Sequence, residues 1–397
     1  MELNAPAEKH AELKTAVPDE TFQTDQVMTI AGGHFVHDTY SAFISPLLPV
    51  LQERLSINYA LAGSLAIYAQ LPSLLNPFIG YLADKANLRW FIILAPAVTA
   101  TLMSVMGLTP TYASLALLLL ASGVSIAAFH APAPAMIANI SGQRLGKGMS
   151  IFMASGELAR TMGPVVAAAG VAWWGLEGMW RLMFVGWAVS LILYFRLRHV
   201  AAMPARDPAL TAVAHMLPAV RRIFWPLTWI MTGGMLLQAA LTTYLPLFMS
   251  DVLEVNLWLA AASLTILQAA GVVGALISGT VSDKYGRIRV LFIVLAVSPL
   301  LMLVFLYGPS WLAVPMLLAL GLTVLSPQPV FLAIVQDQFP NNRALANGAY
   351  LAVNFLIRAG AIWVVGLLAD RYGLHVAFLV SGLVAFVSLP ALRYLPR

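Results

Sequence analysis

The sequence predicts an all-α integral membrane protein with twelve transmembrane helices, arranged as two pseudo-symmetric six-helix halves. Three observations predict this fold class: the composition, the spacing of the apolar segments and an internal repeat. Of the 397 residues, 60% are hydrophobic and only 10% are charged, and the mean hydropathy is +0.83. Soluble globular domains carry about 25% charged residues, so this composition excludes that class.

Twelve apolar stretches follow a polar N-terminal tail at residues 1–26. About 20 apolar residues suffice for a helix to cross a ~30 Å hydrocarbon core. The tail has no basic region followed by an apolar core, so we expect a cytosolic extension and not a signal peptide. The connections are too short to hold a separate soluble domain. We place spans 1 to 12 at residues 27–52, 58–83, 89–108, 112–140, 148–174, 179–197, 223–250, 257–281, 288–307, 311–336, 344–369 and 374–393.

Lysines and arginines are concentrated in alternate loops, which predicts the orientation of the chain. Only Arg54, Arg181 and Arg371 fall in the loops of the other side. Because cytoplasmic loops are enriched in these residues, we expect both termini in the cytosol of a bacterial-type cytoplasmic (inner) membrane. This topology accounts for the net charge of +5, which therefore does not indicate a nucleic-acid partner.

Several kinds of chemistry are disfavoured by what the sequence lacks. The chain has no cysteine, which excludes disulfides, thiolate metal sites and thiol nucleophiles. It also has no Gly-x-Ser-x-Gly, His-Glu-x-x-His or Gly-rich phosphate-binding motif. We therefore expect neither an enzyme nor an ATP-driven pump, and we expect no cofactor.

An internal repeat divides the chain. The segment "SLAIYAQLPSLLNPFIGYLADK" (64–85) matches "SLTILQAAGVVGALISGTVSDK" (263–284), and "APAPAMIA" (131–138) matches "SPQPVFLA" (326–333). Transporters built from two such halves bind substrate between them near the middle of the bilayer. The predicted organisation is an N-terminal half at 27–197, a basic cytosolic linker at 198–222 and a C-terminal half at 223–397.

The repeated segments lead into a loop motif, "GYLADKANLRW" (80–90) and "GTVSDKYGRIR" (279–289). Its glycine allows two helices to approach closely, and its aspartate can pair with a basic residue to close the cytosolic side. The predicted gate residues are Gly80, Asp84, Lys85 and Arg89 in the first copy and Gly279, Asp283, Lys284 and Arg287 in the second.

This duplicated motif resembles the signature loop of the major facilitator superfamily, and the resemblance covers the chain from about residue 27. In the first copy, Ala86 and Asn87 replace the usual x-Gly. Within the superfamily, "GGHFVHDTYSAFISPLLPVLQERL", "FHAPAPAMIA" and "GKGMSIFMASGELARTMGP" resemble the fosmidomycin-resistance branch of efflux proteins. That resemblance implies proton-driven export of drugs or small anionic metabolites.

Span 1 contains a polar stripe, "HFVHDTYSAFIS", in which His34, His37, Asp38, Ser41 and Ser45 share one helix face. An ionisable residue inside a span costs about 2.5–3.5 kcal/mol on insertion scales, so the stripe predicts a protein-lined or wet cavity. We predict that proton coupling uses the Asp38 carboxyl or a histidine, which titrates near 6.5. Alternatively, the aspartate and a histidine pair only to hold neighbouring helices.

Span 5 places Glu157 and Arg160 three residues apart, and span 11 places Tyr350, Asn354 and Arg358 at successive steps of four. The two arginines occupy nearly equivalent places in the repeat. Guanidinium groups bind carboxylate or phosphate in a bidentate manner, so the pair predicts an anionic substrate. Glu157 is a further candidate proton carrier, although it could instead neutralise Arg160 within the protein.

The remaining candidate substrate-binding residues are His130, Gln238 and Gln328. His130 is a further ionisable residue, and it adjoins the proline pair of span 4. It could line the cavity or form a local hydrogen bond. Gln238 lies in span 7, the repeat partner of span 1, and Gln328 lies between two prolines that free backbone groups. Asp251 and Glu254 fall in an outer loop and are predicted to be solvated.

The sequence therefore predicts a proton-coupled antiporter that exports a small drug-like or anionic organic compound by alternating access. The alternatives are a proton symporter that imports an organic anion and, less favoured, a divalent metal transporter that uses His34, His37, Asp38 and His130. No resident metal is expected. The expected partners are the substrate, protons and the bilayer, and one chain is enough to enclose the path.

Overall fold

The structure is a computed structural model of the chain, and it describes residues 22–75, 89–142, 145–199, 213–338 and 343–395. Within these ranges the regular elements are helices, and no strand is present. The all-α fold class is therefore confirmed. We call the end of the bundle where span 1 begins, at Thr24, the terminal face, and the end where it finishes, at Leu55, the far face.

Spans 1 to 6 are formed by helices close to the predicted positions. In chain order these are Thr24–Ser41 and Ile44–Leu55 in span 1, Tyr59–Gln70 in span 2, Arg89–Ser104 in span 3, Tyr112–His130 and Ala133–Ile140 in span 4, Leu145–Gly178 in span 5 and Met183–Leu197 in span 6. A 3-10 turn, Leu71–Leu75, continues span 2.

Spans 7 to 12 follow the same pattern. Their helices are Val213–Ala239 and Leu245–Asp251 in span 7, Leu257–Tyr285 in span 8, Arg287–Tyr307 in span 9, Ala313–Val324 and Pro327–Gln338 in span 10, Arg343–Tyr372 in span 11, and Leu374–Ala385 and Ser388–Ala391 in span 12. A π-helical turn, Ala240–Tyr244, joins the two parts of span 7. The helix of span 7 begins inside the predicted linker 198–222, because the apolar run before residue 223 is also compatible with a helix.

Hydropathy supports most of the predicted spans. Among the described residues, nine helical stretches are long and apolar enough to cross a membrane, and one of them, 148–197, contains both span 5 and span 6. These nine stretches correspond to spans 3 to 12. Span 2 is a shorter apolar helix, Tyr59–Leu75. Span 1 is helical, but its polar stripe lowers its hydropathy.

Prolines interrupt the equivalent helices of the two halves. Span 4 is broken at Pro132 and span 10 at Pro327, the first prolines of the two matching "P-x-P" segments. Proline has no backbone N–H and clashes with the preceding turn, so the helix stops and restarts there. The polar residues next to these breaks, His130 and Gln328, are thereby placed beside irregular backbone inside the bundle.

The packing of the helices repeats between the halves. In the N-terminal half, span 1 packs on span 5, span 3 on span 6 and span 2 on span 4. In the C-terminal half, the equivalent pairs also pack together: span 7 on span 11, span 9 on span 12 and span 8 on span 10. Between the halves, span 2 packs on span 11 and span 5 on span 8. This pattern is the expected pseudo-symmetry, while the exact limits of the two halves remain a prediction.

Two glycines at equivalent places in the repeat permit close approaches within this packing. A Cβ on Gly123 of span 4 would meet the carbonyl oxygen of Ala69 in span 2, and a Cβ on Gly321 of span 10 would meet that of Leu267 in span 8. Each added Cβ would be closer to this backbone oxygen than van der Waals contact allows, and backbone cannot easily move aside. Small residues at helix interfaces allow such close packing within membranes.

We predict that Gly123→Ala and Gly321→Ala each destabilise the fold by about 1–3 kcal/mol, because the added methyl overpacks the interface. The thermal unfolding midpoint of purified protein in detergent measures this. Gly32→Ala is the matched control, since a Cβ there meets nothing within 4 Å. An unchanged midpoint for both interface variants would contradict the close packing of these pairs.

Candidate functional site

The polar stripe of span 1 faces the interior of the N-terminal helices. His34, His37 and Asp38 are 3%, 0% and 2% exposed. They lie on the helix Thr24–Ser41, which contacts spans 3, 5 and 6. The stripe therefore forms a protein-lined cluster and does not face lipid.

The Asp38 carboxylate is the centre of this cluster. Its Oδ1 lies 3.0 Å from Nδ1 of His37 and 3.3 Å from Nε2 of His130 in span 4. Its Oδ2 lies 3.2 Å from Nε2 of His34 and 4.0 Å from a terminal nitrogen of Arg160 in span 5. One buried carboxylate thus joins three spans.

Backbone carbonyls fix the orientation of two of the imidazoles. Nδ1 of His34 donates to the carbonyl of Phe152 at 2.9 Å, and Nδ1 of His130 donates to that of Ile126 at 2.9 Å. A carbonyl can only accept, so both Nδ1 atoms carry a proton. The Nε2 atoms of His34 and His130 are consequently the ones that face Asp38, and they lie 3.2 Å from each other.

This geometry creates a place for a proton between the imidazoles and the carboxylate. If His34 and His130 were neutral and Asp38 ionised, two Nε2 lone pairs and a carboxylate would face one another with no proton between them. Contacts of 3.2–3.3 Å between acceptors are repulsive without a donor. The arrangement therefore accommodates at least one additional proton, shared among His34, His130 and Asp38.

His37 extends the cluster into the packed interior. Its Nε2 lies 3.1 Å from the hydroxyl of Thr99 in span 3, which in turn donates to Ser125 in span 4 at 2.8 Å. The ring stacks on Phe129 at a centroid distance of 4.5 Å. Since His37 is fully buried, it contacts Asp38 from within the packed N-terminal helices.

Span 5 closes the cluster from the other side. The ring of His34 stacks on Phe152 with centroids 4.0 Å apart, and its Nδ1 also lies 3.2 Å from the Ser155 hydroxyl. A Cβ on Gly156 would lie 2.5 Å from Cε1 of His34 and 3.3 Å from Oδ2 of Asp38. Sequence reasoning missed these residues and Thr99, although Ser155 and Gly156 stand directly before Glu157 in the "ASGE" run of span 5.

Arg160 and Glu157 form an ion pair on the exposed side of the cluster. The side chain of Arg160 is 47% exposed, and that of Glu157 is 37% exposed. The guanidinium thus stands between a buried carboxylate, Asp38, and a solvated one, Glu157. The acid and the base predicted from span 5 are brought to the same site as the stripe of span 1.

Arg358 approaches this site from span 11 of the other half. It interacts electrostatically with Arg160, and its Nε is buried with no hydrogen-bond partner in the described part of the chain. One turn away, the Asn354 amide donates to the Tyr350 hydroxyl at 3.3 Å. Guanidinium groups from both halves therefore lie within electrostatic range of each other, and Arg160 is paired with the carboxylates of Glu157 and Asp38.

The other predicted residues of the C-terminal half line a separate cavity. Gln238, Gln328 and Asn354 reach it together with Met231, Met235 and Phe331. Its volume is about 30 Å³, which is enough for one or two water molecules. Tyr350 and Arg358 do not line it. In this conformation the cavity is too small for an organic substrate.

The predicted gate residues are only partly described. Gly80, Asp84 and Lys85 lie outside the described residues, and Arg89 begins the helix of span 3. In the second copy, Gly279, Asp283 and Lys284 lie on the last turns of the helix of span 8, and Arg287 begins span 9. Gly286 makes the turn between them at a φ of 96°, where a glycine is favoured. The role of the motif in gating remains a prediction.

Comparisons with known proteins agree with this architecture. The fosmidomycin resistance protein of Escherichia coli (strain K12) is 22% identical over 372 residues, which cover 91% of this chain and 90% of that protein. A bacterial homologue of the human lysosomal transporter Spinster, in an inward-facing and unoccupied conformation, superposes with a TM-score of 0.75 at 15% identity and 95% coverage of both chains. The nucleoside transporter NupG superposes with a TM-score of 0.72 at 17% identity, covering 93% of this chain and 98% of its own.

Residues 30–362 match the Major Facilitator Superfamily as a sequence family. The matched region begins just before the polar stripe and includes both copies of the loop motif. The helical fold, the membrane spans and this match agree, and the chain belongs to the Major Facilitator Superfamily of membrane transporters.

Proposed function

We propose that this protein is a proton-coupled antiporter that exports a small drug-like or anionic organic compound by alternating access. The observation that carries the proposal is the position of Arg160, which is shared between the histidine cluster around Asp38 and the ion pair with Glu157. The similarity to a fosmidomycin resistance protein supports the export of a drug-like compound.

Competition between Asp38 and the substrate for Arg160 couples proton release to substrate binding. While the cluster holds its additional proton, the charge of Asp38 is compensated by His34 and His130, and Arg160 is free to bind an anion. When that proton leaves, Asp38 needs another cation, and Arg160 stands 4.0 Å away. Charges at this separation interact strongly in a medium of low polarity. Proton and substrate would therefore bias the same equilibrium between conformations.

The substrate proposed for this site carries a negative charge. Arg160 and Arg358 repel each other across the two halves, and Glu157 compensates only one of them. An anion between the guanidinium groups would remove that repulsion and supply hydrogen-bond acceptors for Arg358, whose Nε has none among the described residues. Guanidinium groups bind carboxylates and phosphonates alike. The site therefore indicates a negatively charged substrate and does not single out one compound.

The direction of substrate transport depends on whether protons move against the substrate or with it. With the termini in the cytosol, an antiporter uses the inward proton gradient to expel its substrate, whereas a symporter with the same residues would import an organic anion. The two differ in the sign of the proton movement that accompanies the substrate.

A divalent metal transporter is the second candidate function, and one observation favours it. Nε2 of His34 and Nε2 of His130 lie 3.2 Å apart and both face Asp38, so a cation other than a proton could occupy the same place. This alternative predicts metal flux that survives the loss of both arginines. Antiport of an anion predicts that flux depends on them.

We predict that adding substrate to acid-loaded inverted vesicles raises the internal pH with the wild-type protein and not with Asp38→Asn. The amide keeps the size of the side chain but cannot exchange a proton at this site. A pH-sensitive dye inside the vesicles, with fosmidomycin and a panel of organic anions, measures this. Asp25→Asn is the matched control, because Asp25 is exposed on the first turn of the same helix.

A normal response from Asp38→Asn would assign the proton to the histidines or to Glu157 and overturn the central role of Asp38. Further acidification on addition of an anion would instead indicate symport.

We also predict that Arg358→Gln weakens binding of anionic substrates about tenfold or more, because hydrogen bonds to charged groups contribute about 1.5–3 kcal/mol. Arg358→Lys should lose less, since it keeps the charge but not the planar fork. The concentration for half-maximal transport of an anion, compared with that of an uncharged analogue, measures the effect. Arg393→Gln, an exposed arginine near the C-terminus, is the control. Equal losses for the charged and uncharged compounds would contradict anion recognition by Arg358.

A further inference from the structure

At the far face, an acidic residue of one half binds the helix terminus of the other. The Asp370 carboxylate, at the end of span 11, accepts hydrogen bonds from the backbone N–H groups of Tyr59 at 2.6 Å and of Ala60 at 3.1 Å. Tyr59 and Ala60 are the first residues of the helix of span 2. Sequence reasoning singled out none of these three residues.

The interaction has a clear electrostatic basis. The first N–H groups of a helix have no partner within the helix and carry a partial positive charge. The Asn58 side chain accepts from the N–H of Leu61, and Asp370 accepts from two more of these donors. Hydrogen bonds to a carboxylate are shorter and stronger than neutral ones. The carboxylate therefore caps a helix that belongs to the opposite half.

Two tyrosine hydroxyls form hydrogen bonds next to this contact. The Tyr244 hydroxyl, from span 7, donates to the carbonyl of Ile362 at 2.8 Å, and the Tyr59 hydroxyl donates to Asp251 at 2.9 Å. Asp251 was predicted to be solvated. It is exposed, but it also receives this hydrogen bond from the other half.

Glycines permit this approach of the two halves. A Cβ on Gly63 of span 2 or on Gly366 of span 11 would fall inside contact distance of the Tyr244 hydroxyl. A Cβ on Gly63 would also lie 3.1 Å from a methyl group of Ile362. The far face is therefore closed between spans 2 and 11 in this conformation, with Ile362 buried in the closed interface.

The sequence around Asp370 has a counterpart at the other end of the bundle. "GLLADRYG" (366–373) and "GTVSDKYG" (279–286) share the order Gly, three residues, Asp, a basic residue, Tyr and Gly. The second segment ends span 8 at the terminal face, and the first ends span 11 at the far face. The same local pattern thus occurs where each of the two faces has to open and close.

We propose that Asp370 is the latch of the outer gate: its bond to the N-terminus of span 2 holds the far face closed and is broken each time that face opens. This inference rests on the alternating access of the proposed function and takes the far face as the outer one. It adds a positioning residue to the transport cycle, remote from the site of proton and substrate binding.

The absence of cysteine allows a direct test of the latch. Ile362→Cys places one thiol in the closed interface, and a membrane-impermeant maleimide labels it only when the far face opens. Labelling rates are compared with and without Asp370→Asn, in right-side-out and in inverted vesicles. Asp25→Asn in the same reporter background is the matched control for a lost carboxylate.

We predict that Asp370→Asn raises the labelling rate of the Ile362→Cys reporter about tenfold, because the amide loses the charge that strengthens both hydrogen bonds. The increase should occur in right-side-out vesicles. An unchanged or lower rate in both vesicle orientations overturns the latch.

A second reporter separates opening from unfolding. Ser122→Cys places a thiol at a fully buried position of span 4, within the N-terminal helices. A true latch variant accelerates labelling at position 362 and leaves position 122 protected, whereas labelling at both positions shows misfolding and overturns the latch. The rates do not depend on substrate, so this test can fail or succeed independently of the antiport experiment.

Discussion

A single carboxylate in the interior of the bundle determines much of what surrounds it. An ionised Asp38 isolated in a medium of low polarity would be strongly unfavourable, so the fold surrounds it with donors. His34 and His37 come from its own helix, His130 from span 4 and Arg160 from span 5. Each donor is held in turn by a carbonyl, a hydroxyl or a second carboxylate. Side chains of spans 1, 3, 4 and 5 are therefore linked through one carboxylate and its donors.

The sequence predicted the parts of this site that follow from helical periodicity and the internal repeat. His34 and Asp38 are one turn apart on span 1, so their contact follows from the helix alone. The repeat indicated that Arg160 and Arg358 occupy equivalent places, and the two guanidinium groups lie within electrostatic range of each other across the halves. Gln238 and Gln328 were predicted as substrate-binding residues from the repeat and from the proline pair, and both line one small cavity, together with Asn354.

Other features could not be predicted, because they depend on how each helix is rotated about its axis. Spans 3 and 4 are apolar nearly all round, so periodicity does not show that Thr99 and Ser125 face His37. Gly156 looks unremarkable in sequence, yet it allows span 5 to approach the imidazole of His34. Asp370 resembles an ordinary loop acid, and its role depends on the position of a helix terminus more than 300 residues away along the chain.

Span 5 connects the charged cluster to the contact between the halves. Gly163 packs against the backbone of Thr39 in span 1, and the carbonyl of Thr161 accepts a 2.9 Å hydrogen bond from Thr265 in span 8 of the other half. Thr161 directly follows Arg160, so the residue that would respond to the charge of Asp38 adjoins the residue that holds the opposite half. A small movement of this part of span 5 would act on the inter-half contact directly, because packed helices shift between discrete arrangements and do not deform continuously. The proton coupling proposed for this protein would therefore need no long pathway between the charged cluster and the opposite half.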